Sequence, residues 1–299
     1  MSPLIHMKIN AFKHTLIVGL VASLLGLTSF AQEPRVDSTV PESLVKPHPV
    51  DAATIRRHRL NHFNAKLNTD PAELHARCAY ESDISTAPPK KLVALTFDDG
   101  PAPGHTEFIL DTLKRYNIRA AFFMIGDQAQ RHPQLVARVE AEGHHLIGNH
   151  SWDHPNFHSI DGDEQKHEVE KTEAVLRNSM SHRLFRYPYG NSSCETNDLL
   201  HRSGYKIVGW HIDSCDWAFD KSGVVDAKEA ATCGVLPQFH KDYVGHVLST
   251  LRAHNGGIVL MHEIHPNTLQ KLDAIITSAL EDGFVFGSLD DPAFANSMR

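Results

Sequence analysis

The sequence predicts an α/β fold whose parallel strands form a barrel, with its functional face at the C-terminal strand ends. Three observations carry that expectation. From Lys90 onward, short apolar runs alternate with amphipathic stretches, as in successive strand–helix units. Gly and Pro punctuate several of the junctions between them. Five clusters rich in Asp, His, Arg and Trp each stand at or just past the end of an apolar run, where barrel sites are built.

Taken in order, Leu92-Val93-Ala94-Leu95-Thr96-Phe97 is the first strand, halted by Gly100-Pro101. Residues 106–116 place Phe108, Ile109 and Leu113 on one helical face. A second strand covers 120–125 and a helix 133–142, opened by Pro133. A third strand covers 145–148 and a helix 163–179. Further strands are expected at 184–186, 206–213, 257–261 and 284–287. The last helix, 268–281, buries Leu269, Leu272, Ile275, Ile276 and Ala279.

The segment ahead of this region has a different character. Lys8 and Lys13 precede an apolar run over 16–30 that ends in Ser29-Phe30-Ala31, the layout of a secretory signal peptide cleaved after Ala31. The run is short for a span and contains Gly19, Ser23 and Gly26, so no stable membrane span is expected after cleavage. Residues 32–90 read as an extension: a polar, proline-punctuated linker, then a helix capped by Asp51 with Ile55, Leu60, Phe63 and Leu67 at near-helical spacing. The main domain is expected over 91–290, with 291–299 as a tail.

Export makes Cys78, Cys194, Cys215 and Cys233 candidates for disulfides, and the absence of a CxxC pair argues against a thiolate zinc site. Of the three possible pairings, Cys215–Cys233 would close the loop after a site motif, leaving Cys78–Cys194; buried free thiols are the alternative. A formal net charge of -7 with no basic block argues against nucleic acid as a partner. With 22 histidines in the chain, a histidine carries meaning only in a partnered position.

The clusters supply those partners. Asp98 and Asp99 are consecutive, and a regular strand would send them to opposite faces. The Gly100-Pro101 turn lets both reach one site. Two adjacent carboxylates repel unless a cation compensates one of them. His150 and His154, four apart in His150-Ser151-Trp152-Asp153-His154-Pro155, would present both imidazoles on one side of a helical turn. With Asp99 they make a His/His/carboxylate set that leaves a fourth metal position open. The chain has no HExxH, since His262-Glu263-Ile264-His265 is one residue too short. Asn149 and Asn191 head formal glycosylation sequons in or beside these clusters, which favours bacterial export over a eukaryotic secretory route.

Together with Arg186-Tyr187-Pro188-Tyr189-Gly190, Asp213-Ser214-Cys215-Asp216-Trp217 and Leu260-Met261-His262, these clusters resemble the polysaccharide deacetylases of the NodB-homology type, carbohydrate esterase family 4. The resemblance runs from about Leu92 to Gly287. It implies a distorted (β/α) barrel and hydrolysis of N-acetyl groups from N-acetylglucosamine residues of a polymer such as peptidoglycan or a chitin-like chain. By that resemblance, Asp98 is the general base, and Asp99, His150 and His154 bind the metal. Arg186 orients the base and Pro188 shapes the loop. The backbone N–H of Tyr189 helps bind the oxyanion. Asp216 positions the acid His262, although Asp213 is also available, and Trp217 and Leu260 wall the acetyl pocket.

The set suits zinc with a water ligand, while cobalt, nickel or manganese stay open. The expected partner is an N-acetylated polysaccharide, met in the periplasm or outside the cell. Two alternatives remain: an O-acetyl esterase of the xylan type, and a non-catalytic carbohydrate-binding protein on the same fold. Retention of Asp98, Arg186 and His262 speaks against the last, because binding needs no proton relay.

Overall fold

A computed structural model of the chain describes residues 84 and 86–299, apart from Gly143. The expected signal peptide, linker and Asp51-capped helix, together with Cys78, lie outside the described residues. Among the described residues, no helix is long and apolar enough to cross a membrane.

Eight strands form one sheet in which every pairing between them is parallel. They are β1 (Leu92–Gly100), β2 (Ala121–Met124), β3 (Leu146–Asn149), β4 (Leu184–Phe185), β5 (Lys206–Ile207), β6 (Ile212–Asp213), β7 (Gly257–His262) and β8 (Val285–Gly287). Their order is β5-β4-β3-β2-β1-β7-β6. β7 takes one edge of β1 from Val93 to Asp98, so β8 and β2 share the other, at Leu92–Ala94 and Thr96–Gly100. The sheet curls into a distorted (β/α) barrel left open between β5 and β6. The helices are α1 (His105–Tyr116), α2 (Gly126–Arg131), α3 (Pro133–Ala141), α4 (Gly162–Leu176), α5 (Cys194–Arg202), α6 (Ala227–Cys233), α7 (Tyr243–His254) and α8 (Pro266–Glu281).

The central strands are buried on both faces, as parallel strands under helices must be, and their period of two sorts the core. Val93, Leu95 and Phe97 of β1 and Val259 and Met261 of β7 pack with Ile109, Leu113, Leu272 and Ile276 of the helices. Ala94 of β1 and Ile258 and Leu260 of β7 face the other way, into an interior shared with Phe123, Leu184 and Trp210. Continuing that parity along β1 and β7 brings Thr96, Asp98 and His262 to the interior side at the strand ends. Asp98 and His262 are register partners across β1 and β7.

Three local expectations are corrected. The stretch 206–213 is two strands on opposite ends of the sheet, because the backbone between them turns to offer the Val208 and Gly209 carbonyls to Arg186. His150 to His154 is a loop with Ser151 and His154 at φ 69° and 65°, so backbone bends rather than a helical turn bring the rings together. Phe108 is 44% exposed, because Ile109, Leu110 and Leu113 turn inward and leave it on the far flank of α1. Within residues 291–299, Phe294 is fully buried in the interior cluster, and Arg299 and Ile207 exchange backbone hydrogen bonds.

Candidate active site

A bulge at the end of β1 places both carboxylates. The β1–β2 register shifts between Asp98 and Gly100, and Asp99 stands in the left-handed region at φ 72°. The alternation that would separate the two side chains is cancelled. Asp98 Oδ2 and Asp99 Oδ1 now lie 3.6 and 3.5 Å from the same His150 Nε2. Gly100 is required by what packs behind it: a Cβ there would fall 1.8 Å from Glu263 Oε1.

Arg186, at the end of β4, is fully buried and spends every guanidinium nitrogen. Nη1 donates to Asp98 Oδ1 and Thr96 Oγ1, both at 2.8 Å; Nε and Nη2 donate to the Val208 and Gly209 carbonyls. Thr96 in turn donates to the Val259 carbonyl, tying β1 to β7. The Arg186 carbonyl accepts from His150 Nδ1 at 2.7 Å. That bond fixes the imidazole tautomer and turns the Nε2 lone pair towards the carboxylates.

Asp99, His150 and His154 bring their ligand atoms within 4.8 Å of one another. Asp99 Oδ1 is buried with no hydrogen-bond partner, 3.5 Å from His150 Nε2 and 3.4 Å from His154 Nε2. Donor atoms bound about 2.1 Å from a tetrahedral ion are separated by about 3.4 Å, so these three fit a small divalent cation. Burial, aided by the neighbouring His150 charge, pushes His154 down to about 4, which leaves its lone pair available at neutral pH. Burial alone would raise Asp99. The close approach of His150 and the charges of His262 and His154 override it and hold the carboxyl below the usual range.

On the neighbouring strand end, His262 Nδ1 donates to Asp216 Oδ1 at 2.7 Å, and the His262 backbone N–H donates to Oδ2 at 2.6 Å. Thr268 Oγ1 also donates to Oδ2. Burial opposes charge on His262, but Asp216 outweighs it and lifts the imidazole to about 10. Asp213, the other carboxylate of this motif, instead accepts from the Cys215 N–H and from Trp217 Nε1. Cys215 is joined to Cys233 by a disulfide, and Cys194 is also disulfide-bonded. The expected partner of Cys194, Cys78, lies outside the described residues.

Asp98, Asp99, His150, His154, Tyr189, Trp217, Leu260 and His262 all line one cleft of about 450 Å³, with Arg186 and Asp216 directly behind Asp98 and His262. Tyr189 is held at φ 57° within the turn Pro188–Gly190, its ring 4.7 Å from that of His154. Asn149 and Asn191, the heads of the two sequons, are buried.

Several participants were not singled out from sequence. Thr96 carries a signal in hindsight, since it shares the strand face of Asp98 two residues on. In the sequence Glu263 stands only within His262-Glu263-Ile264-His265, one residue too short for HExxH. It is fully buried on the opposite face from His262, bonded to Thr106, with Oε1 unpartnered. Burial pushes its carboxyl up to about 8, with the Asp99 and Asp98 charges adding to the effect. Glu229 and Thr232 of α6 also line the cleft, and only the fold brings them there.

A family model described as polysaccharide deacetylase matches residues 85–208. The peptidoglycan-N-acetylglucosamine deacetylase PgdA of Listeria monocytogenes is 33% identical over 211 residues, 70% of this chain and 40% of that protein. The chain therefore spans less than half the length of that relative. The peptidoglycan-N-acetylmuramic acid deacetylase PdaA of Bacillus subtilis is 31% identical over 70% of this chain and 74% of its own length. Among solved structures, the Bc1960 peptidoglycan N-acetylglucosamine deacetylase superposes with a TM-score of 0.55 at 32% identity, covering 67% of this chain and 86% of that one.

Proposed function

Because the chain belongs to the polysaccharide deacetylase family, we propose that its cleft hydrolyses the acetamide of N-acetylated sugars in a polysaccharide, with peptidoglycan as the substrate. One observation carries the reading. A carboxylate and a protonated histidine sit on register-matched strand ends, Asp98 and His262, beside three convergent ligand atoms.

Asp99, His150 and His154 would hold a divalent ion, and two imidazoles with one carboxylate suit zinc. When bound, such an ion supplies Lewis acidity and lowers the pKa of water. Asp98 would accept the proton of the attacking water on Oδ2, while Arg186 keeps Oδ1 occupied and fixed. The backbone N–H of Tyr189 would help receive the negative charge that develops on the acetyl oxygen. Leu260 and Trp217 would flank the acetyl methyl and exclude bulkier acyl groups by shape.

His262 would then give its Nε2 proton to the departing nitrogen, which leaves poorly unless protonated. Asp216 keeps that imidazolium charged and in one orientation. A histidine held charged to about 10 suits an amide better than an ester, whose alcohol needs less help in leaving. Peptidoglycan lies outside the cytoplasmic membrane, so the protein would act after export, in keeping with the signal-like sequence of residues 1–31.

The test is acetate release from N-acetylglucosamine oligomers and purified peptidoglycan, with and without added zinc. Zinc-dependent release that disappears in Asp98→Asn is the expected result. Saturable glycan binding with no acetate from any polymer would overturn it in favour of a binding protein.

A further inference from the structure

We propose that Glu229 is a specificity residue that favours substrates in which a sugar flanking the reacting one carries a free amine. The proposal rests on the deacetylase reading above and adds to it a preferred substrate pattern. Glu229 and Thr232 are three residues apart on α6, share one helical face and both line the cleft. Glu229 is half-buried, and its carboxylate has no hydrogen-bond or ion-pair partner among the described residues. It is an uncompensated negative charge on the wall of a cleft built to hold sugars.

α6 is not a loose flap. Asp226 caps its first turn by accepting from the Lys228 and Glu229 N–H groups. The Cys215–Cys233 disulfide staples its last residue to the loop one residue before Asp216. The Glu229 backbone is thereby anchored to the same loop that carries Asp216, the partner of His262, and its side chain lines the same cleft. The same cleft offers exposed Tyr189 and Ile264, surfaces for sugar faces rather than charges.

The chemistry of the product names the ligand. Each turnover converts a neutral acetamide into an amine that carries a proton in mildly acidic to neutral solution. A polymer already deacetylated at one sugar therefore presents a cation next to an intact acetamide. Glu229 would attract that cation and would repel an anionic substituent at the same place. Thr232 beside it donates its hydroxyl proton to the Lys228 carbonyl and keeps an oxygen that can accept from a sugar hydroxyl. Deacetylation would then spread to neighbours of sugars already processed.

A partly exposed ion pair of this kind changes binding by about two- to fivefold at low salt. We expect kcat/KM for an N-acetylglucosamine oligomer with one flanking glucosamine to exceed that for the fully acetylated oligomer by that factor. The ratio should fall to unity in Glu229→Gln, which keeps hydrogen bonding but loses charge. It should invert in Glu229→Lys, and in the wild type it should shrink as salt is raised. A ratio of one in an active wild-type protein, or a ratio unchanged in Glu229→Gln, would overturn the proposal.

Binding of a fully deacetylated glucosamine oligomer, which cannot be turned over, gives a second readout by calorimetry. Weaker binding in Glu229→Gln supports the Glu229 assignment even if no acetate is ever released, and equal binding overturns it. Failure of the deacetylase reading and failure of this one are thus separately visible.

Discussion

Two carboxylate–cation pairs meet the cleft from neighbouring strand ends, and the atoms they leave unused differ. In the Arg186–Asp98 pair, the cation is exhausted: all three guanidinium nitrogens are engaged, and Asp98 keeps Oδ2 outside that network. In the Asp216–His262 pair, the anion is exhausted: both oxygens are taken by His262 and Thr268, and the imidazole keeps Nε2. The same elementary interaction therefore leaves a proton acceptor on one side and a proton donor on the other. Which partner has its polar atoms consumed decides which atom stays open, more than which residue types are paired.

The largest effect should come from removing the acceptor. Asp98→Asn keeps the shape and a hydrogen bond to Arg186 but removes the basic oxygen, and acetate release should fall by about 10²–10⁴-fold. A loss under tenfold would break the comparison, because Oδ2 would then have no proton to take.

On the other side, Asp216→Asn should cost about ten- to a hundredfold and also change the pH dependence. In the proposed mechanism His262 acts when protonated, so activity should fall as pH rises through about 10 in the wild type. Without the Asp216 charge, that limb should move down towards the ordinary histidine range of about 6.5. The same pair contributes stability that is fully present below about 6.5 and lost as pH rises through about 10. Thermal melts of the two proteins should therefore differ most at low and neutral pH and converge in alkali.

The smallest effect concerns Glu263, which packs behind both pairs. Its N–H donates to the Asp98 carbonyl, and its side chain abuts Gly100. Burial raises its carboxyl from 4.5 to about 8, so the metal-free protein should lose stability as pH rises between those values. Glu263→Gln mimics the neutral form and should flatten that decline, with catalysis changed by no more than about threefold. A decline of the same size in the variant would assign it to other groups.

Much of this arrangement was legible because strand periodicity is local. The run 92–97, its continuation into Asp98 and the parity that aligns Leu260 with His262 all follow from a repeat of two, which backbone sterics impose within one segment. The helix 133–142 carried its own start signal, and the observed Pro133–Ala141 agrees. The stretch 206–213 misled because its apolar character fits a strand, whereas its break at Val208 and Gly209 answers to Arg186, 22 and 23 residues earlier in the chain. The His150–His154 pair was found by spacing, yet the backbone that joins the rings is not the one that spacing suggests.

By itself, then, the sequence determined the parallel α/β architecture and picked out most of the polar side chains that meet in the cleft, since both depend on short-range pattern and residue type. Only the tertiary structure decided that Glu263 is buried behind the turn and that α6 brings Glu229 to the cleft. Those outcomes turn on which groups must share a dry interior, where an unpaired charge costs several kcal/mol, roughly, and where partners are chosen from the whole chain. No window along the sequence contains that competition.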